Sequence, residues 1–169
     1  MVGVGLAAAP APVDPAPAIR LVDEANPLDG MPFYVNPNSA AMRAAQADPA
    51  SPQLAAIANT PQAYWMDQAS TPAVDAKYIA TAQAAGTRPV LALYGIPHRD
   101  CGSFAAGGFS SGAAYRGWID GVAAAIGGGP AAVILEPDAL AMADCLSADQ
   151  RQERFDLIRY AVDALTRDP

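Results

Sequence analysis

RPVLALYGIPHRDCGS, residues 88–103, starts as an apolar run and ends as a dense polar loop. The first part, RPVLALY, is a continuous aliphatic stretch with no polar alternation. That pattern predicts a strand with both faces buried, as in a parallel sheet. Immediately behind it come the only histidine of the chain, an arginine, an aspartate and one of its two cysteines. In a chain that is 52% apolar and 16% charged, so much polar chemistry at the end of a core strand needs a cause. The same arrangement recurs in PAAVILEPD, residues 130–138, a second apolar strand that ends in two carboxylates.

Helical signals separate these strands. After the Gly-rich loop CGSFAAGGFSSG, the segment AAYRGWIDGVAAAIGGG repeats Tyr115, Trp118, Ile119, Val122 and Ile126 at helical spacing. Before the first strand, TPAVDAKYIATAQAAG predicts a helix with Val74, Tyr78, Ala82 and Ala85 on one stripe and Gly86 as its stop. Further upstream, TPQAYWMDQAS is a strand or loop carrying Trp65 and Asp67. SPQLAAIAN predicts a short helix with proline in its first turn, and NPNSAAMRAAQA another, following a short strand at PFYV. SADQRQERFDLIRYAVDALTRDP opens with a capping box, Ser147 to Gln150, and continues as an amphipathic helix to about Thr166.

Strands that alternate with helices indicate an α/β protein with a parallel sheet, because parallel neighbours require crossovers. In such folds the site lies beyond the C-terminal ends of the strands, whether the sheet is open or closed into a barrel. The two polar clusters occupy those ends. Only three or four strands are visible, and a final helix should feed a further parallel strand. The expectation is a small open sheet or the front part of a larger fold.

Composition excludes several classes. A net charge of −7 leaves no basic footprint for nucleic acid. No apolar window is long enough to span a membrane. Residues 1–25, with MVGVGLAAAPAPVDPAPAIR at their start, are expected to be a disordered Ala/Pro-rich leader or the remnant of a secretory signal; no Lys or Arg precedes Arg20. Residues 26–169 form the remaining unit. Cys101 and Cys145, with one histidine, make no zinc set and imply no metal. They are either two free thiols or one bridge closing a loop of about 45 residues, worth around 4 kcal/mol by loop entropy.

Asp100 and Asp138 sit at the mouths of consecutive strands, so they are candidates to face one cleft. Paired carboxylates in a partly desolvated cleft have their pKa values driven apart, which suits glycosidic cleavage. The bland alternative is that Asp138 caps a turn and Asp100 pairs with Arg99. Glu136 is either catalytic or a structural hydrogen-bond acceptor at the strand end. His98 is more readily a loop residue than a base. Tyr94 and Trp65 could stack on a sugar or belong to the core. GGFSSG has neither the lysine of a P-loop nor a dinucleotide spacing, and no serine sits in a nucleophile elbow.

Taken together, NPLDGMPFYVNPNSAA, NTPQAYWMD, VLALYGIPHRDC, AYRGWIDG and ILEPDAL resemble glycoside hydrolase family 6, cellulases of β-1,4-glucan, and in particular secreted actinobacterial endoglucanases. The resemblance covers residues 26–169 and implies the first part of a distorted (β/α) barrel. It also implies inverting hydrolysis, no cofactor and an oxidising, extracytoplasmic location. By motif, Asp138 resembles the proton donor and Asp100 the second aspartate that supports it. Tyr94 and Trp65, with Asp67, resemble sugar-binding positions, while Arg99 and Glu136 are supporting residues. Cys101 and Cys145 match a family disulfide. Two departures stand out. A serine usual in the loop after RDC is replaced by Ala105 and Ala106, and the residues expected for the catalytic base lie in a second half. The chain is therefore expected to act with β-1,4-glucan or cellooligosaccharide as the N-terminal piece of a split or truncated enzyme, with a second polypeptide supplying the rest. Otherwise it is a non-catalytic glucan-binding remnant or an inactive fragment.

Overall fold

The computed structural model describes residues 26–167. The leader expected over residues 1–25 lies outside the described residues. Helix α1 (Ala40–Ala47) starts at Ser39, whose hydroxyl accepts from the Met42 N–H at 3.0 Å. Helix α2 (Pro52–Ala58) starts the same way at Ser51, with Pro52 in its first turn.

Three strands follow: β1 (Tyr64–Met66), β2 (Val90–Leu93) and β3 (Ala132–Leu135), all parallel and in sequential order. Helices α3 (Pro72–Ala84) and α4 (Gly112–Ile126) make the two crossovers, and α5 (Ala148–Thr166) follows β3. The capping box at Ser147 and Gln150 is formed. Helix α4 packs against both α3 and α5. Side chains of alternate strand residues (Tyr64, Met66, Leu91, Leu93, Val133, Leu135) join Ile79, Tyr115, Ile119 and Leu157 in one core. The helices therefore cover a single face of the sheet, the arrangement of a barrel wall rather than of a doubly wound sheet.

The opposite face is carried by the cross-strand row Trp65, Ala92 and Ile134. Ala92 is buried, but Trp65 is 60% and Ile134 47% exposed. So β2 is enclosed on both faces as its apolar run predicted, whereas β3, at the edge of the sheet, is not.

Two local expectations are corrected. PFYV is no strand but a single parallel bridge between Phe33 and Arg88. The Arg88 N–H donates to the Pro32 carbonyl and its own carbonyl accepts from the Tyr34 N–H. Pro32 supplies no donor at one end, and at the other a turn starts where the Asn36 side chain accepts from the Asn38 N–H. On α3 the buried stripe is Asp75, Ile79 and Ala82, while Val74 is 55% exposed. The Tyr64 hydroxyl donates to the Asp75 carboxylate at 3.1 Å, which turns the acid inward and the valine out.

Candidate active site

Five non-glycine residues among those described have positive φ, and all lie just beyond two strand ends. His98 (58°), Asp100 (56°) and Cys101 (49°) follow β2; Glu136 (46°) and Asp138 (70°) follow β3. Histidine and aspartate tolerate this region, but for glutamate and cysteine it is a conformation the surroundings must enforce, at about 1–3 kcal/mol each. Gly108 (φ 92°) closes the β2 loop, and a methyl group there would overlap the Ile96 carbonyl.

Three ties hold the two loops together. The first is Glu136, 3% exposed, whose carboxylate accepts from the Gly95 N–H at 3.0 Å and the Ile96 N–H at 3.1 Å. Burial pushes its pKa up, and the two N–H donors, the Tyr115 hydroxyl and the Arg99 charge only partly offset that. The Tyr115 hydroxyl is enclosed beside this carboxylate without a well-formed hydrogen bond, and burial together with the Glu136 charge raises its pKa. The second tie is the Cys101–Cys145 disulfide, with Cα atoms 6.1 Å apart. The third is Arg154 of α5, 2% exposed, which donates to the carbonyls of Pro97 and His98 in one loop and Ala139 and Met142 in the other.

A pH dependence follows from Glu136. Its folded pKa lies above the ordinary 4.5, so the stability it contributes is complete below that value and declines as pH rises through the folded pKa. A neutral amide has no such dependence. Glu136→Gln is therefore expected to cost more stability at pH 4 than at pH 7, measured by urea unfolding at both. An equal cost at the two pH values would contradict the direction of the shift.

Asp100 and Asp138 line one small cavity together with Tyr94, Ile96, Arg99 and Arg154. The Asp100 carboxylate accepts from the Ala105 N–H at 2.7 Å, which folds its own loop around it. Asp138 is exposed, and its carbonyl accepts from the Met142 N–H at 2.9 Å. Burial raises the Tyr94 pKa, and the charges of Asp100, Asp138 and Glu136 raise it further against the opposing Arg99 charge. The Arg99 guanidinium lies 4.4 Å from the Tyr94 ring centroid. It donates to the carbonyls of Tyr94 and Ala105 and to the Gln68 side chain, and stands 3.8 Å from the Asp67 carboxylate. Trp65 meets Tyr94 edge-to-face with centroids 5.6 Å apart. His98 is exposed and approaches only the Gln150 amide.

All the positions singled out in the sequence thus gather at one end of the sheet, His98 at its margin. Arg154 and Gln68 were not among them. Arg154 sits on the buried stripe of an otherwise polar helix, and a charge at a core position was the available signal. Among the described residues no group of three or more His, Cys, Asp or Glu side chains could hold a metal ion. No described helix is long and apolar enough to cross a membrane.

Residues 28–169 match the profile of Glycosyl hydrolases family 6. The chain belongs to this family. Endoglucanase A of Cellulomonas fimi is 44% identical over 141 residues, covering 79% of this chain and 30% of that one. The endoglucanase Cel6 of Mycobacterium tuberculosis, solved with methyl-cellobiosyl-4-deoxy-4-thio-β-D-cellobioside, is 67% identical and superposes with a TM-score of 0.80. It matches 86% of this chain and 51% of its own. The cellobiohydrolase Cel6A of Humicola insolens, at 19% identity and a TM-score of 0.63, shares the fold. The chain thus spans about half the length, or less, of these family 6 relatives.

Proposed function

We propose that this family 6 chain supplies the acid half of an inverting β-1,4-glucanase site. Asp138 donates the proton to the leaving glycosidic oxygen. Asp100, held by the Ala105 N–H, supports that acid and the attacking water. Tyr94 presses on the sugar at the cleavage point, and Trp65 offers its exposed face as a platform on the adjoining sugar. Asp67 and Arg99 fix Tyr94 from the side. The observation that carries this reading is the placement of Asp100 and Asp138 on neighbouring strand-end loops lining one cavity.

Inversion needs a second group to activate water from the opposite face of the sugar. In this reading that wall comes from outside the described residues, in a second half that closes on the exposed edge of β3. A bridged cysteine pair and a polymeric substrate both suit an oxidising, extracytoplasmic setting.

The test is reducing-sugar release from carboxymethyl-cellulose by the 169-residue chain alone and mixed with the C-terminal half of a family 6 endoglucanase. The expected result is no release alone and release on mixing. Release by the chain alone would remove the second half from the proposal. No release in either case, with cellotetraose still quenching tryptophan fluorescence, would favour a purely glucan-binding role, for which the exposed Trp65 is suited.

A further inference from the structure

Arg154 is an unusual place for a full charge. It projects from α5 into the core, is 2% exposed, and forms none of the ion pairs seen among the described residues. Of its five N–H donors, four reach carbonyl oxygens: Ala139 at 3.1 Å and Met142 at 3.3 Å from Nη1, Pro97 at 3.3 Å and His98 at 2.7 Å from Nη2. The fifth, on Nε, is enclosed without a protein partner. A buried charge is costly to desolvate unless it is well hydrogen-bonded, so core packing alone gives no reason for this one.

The geometry of the bonds gives a reason. Each terminal nitrogen serves a different loop. Nη1 takes the loop on which Asp138 sits, and its acceptors lie one and four residues beyond that aspartate. Nη2 takes the loop of Asp100, with acceptors two and three residues before it. The planar fork fixes the angle between its two nitrogens, so it fixes the two loops relative to each other. The same side chain also lines the cavity that both aspartates share. The disulfide and Glu136 tie these loops too, but each by a single anchor per loop: the disulfide joins Cys101, next to Asp100, to Cys145, and Glu136 accepts from the Gly95 and Ile96 N–H groups at the strand ends.

We propose that Arg154 is a positioning residue that sets the spacing of Asp100 and Asp138 by clamping the backbones of both loops at once. As a role in catalysis this rests on the glucanase reading above; as a statement about loop geometry it does not. A misplacement of about 1 Å between reacting groups can reduce rate a hundredfold, so the clamp acts on turnover rather than on substrate affinity.

The test is Arg154→Lys in the full chain. Lysine keeps the charge, but its single ammonium cannot span both pairs of carbonyls. Amide hydrogen exchange reads the geometry at three sites. The Ala105 N–H is bonded to Asp100, the Met142 N–H to the Asp138 carbonyl, and the Tyr94 N–H to Met66 across the sheet. The expected result is roughly tenfold or faster exchange at Ala105 and Met142 with Tyr94 unchanged, the pattern of local opening. In the mixed assay, kcat is expected to fall roughly tenfold to a hundredfold, with KM changed less than about threefold. If the lysine variant shows no cooperative melt, Arg154→Met, which buries no charge, is measured in the same way. Uniform acceleration at all three amides, or parental exchange at Ala105 and Met142, would overturn the positioning role and leave Arg154 a structural residue. If the parent mixture hydrolyses nothing, the glucanase reading fails separately, and the exchange pattern alone decides whether Arg154 clamps the loops.

Discussion

Asp138→Asn is expected to lower hydrolysis of carboxymethyl-cellulose in the reconstituted mixture by about 10²- to 10⁴-fold, the usual contribution of a general acid. The substitution is a clean one. Asparagine has the same shape and tolerates the positive φ of 70° at this position, so the turn after β3 persists. What it lacks is an acidic proton for the leaving oxygen. Substrate affinity, read from cellotetraose quenching of tryptophan fluorescence, is expected to stay within a few-fold of the parent. Full activity in this variant would show that Asp138 is not the donor, and a matching loss in affinity would make it a binding group instead.

The second large effect concerns the disulfide. Cys101 and Cys145 are 44 residues apart in sequence. Removing the bridge by the double change Cys101→Ser and Cys145→Ser is expected to cost about 4 kcal/mol by loop entropy. Against a total of about 5–15 kcal/mol for a typical domain, that is a large share. Urea unfolding of the double variant, beside the parent with and without dithiothreitol, measures it. The reduced parent and the variant are expected to unfold at the same lowered midpoint. An unchanged midpoint would mean that Glu136 and Arg154 suffice to hold the loops.

Much of this arrangement was legible in the residues. VLAL and AVIL are strands because continuous aliphatic runs flanked by proline suit a parallel sheet, and they pair as such. The polar residues behind them converge because parallel strands place their C-terminal ends on one side. What the pattern did not disclose depends on partners distant in sequence. The α3 stripe was read correctly at Ala82, but Val74 was placed inside instead of Asp75, because Asp75 looks like a surface residue until Tyr64 donates to it. PFYV has strand propensity, but its own Pro32 and the Asn36 turn leave room for one bridge. Arg154 was passed over because its partners are backbone carbonyls, which every residue possesses and no motif records. The five left-handed residues were equally hidden, since all of them are types that a sequence reader assigns to charge or chemistry rather than to conformation.

The ties between the loops also bear on the order in which the molecule is made. Glu136 reaches back 41 residues to Gly95, Cys145 back 44 to Cys101, and Arg154 back 56 to His98. None can form until β2, α4 and β3 are in place, and the Arg154 tie needs the first half of α5 as well, whereas each helix and its capping bonds are local. Contacts that close long loops are gained late in folding. The strained turns bearing the two aspartates therefore belong to the last stage of maturation, after the helical layer has docked on the sheet. On refolding, helical circular dichroism should return before the Tyr94 and Trp65 environment does, and a nascent chain leaving the ribosome would acquire its mouth only once Arg154 has emerged.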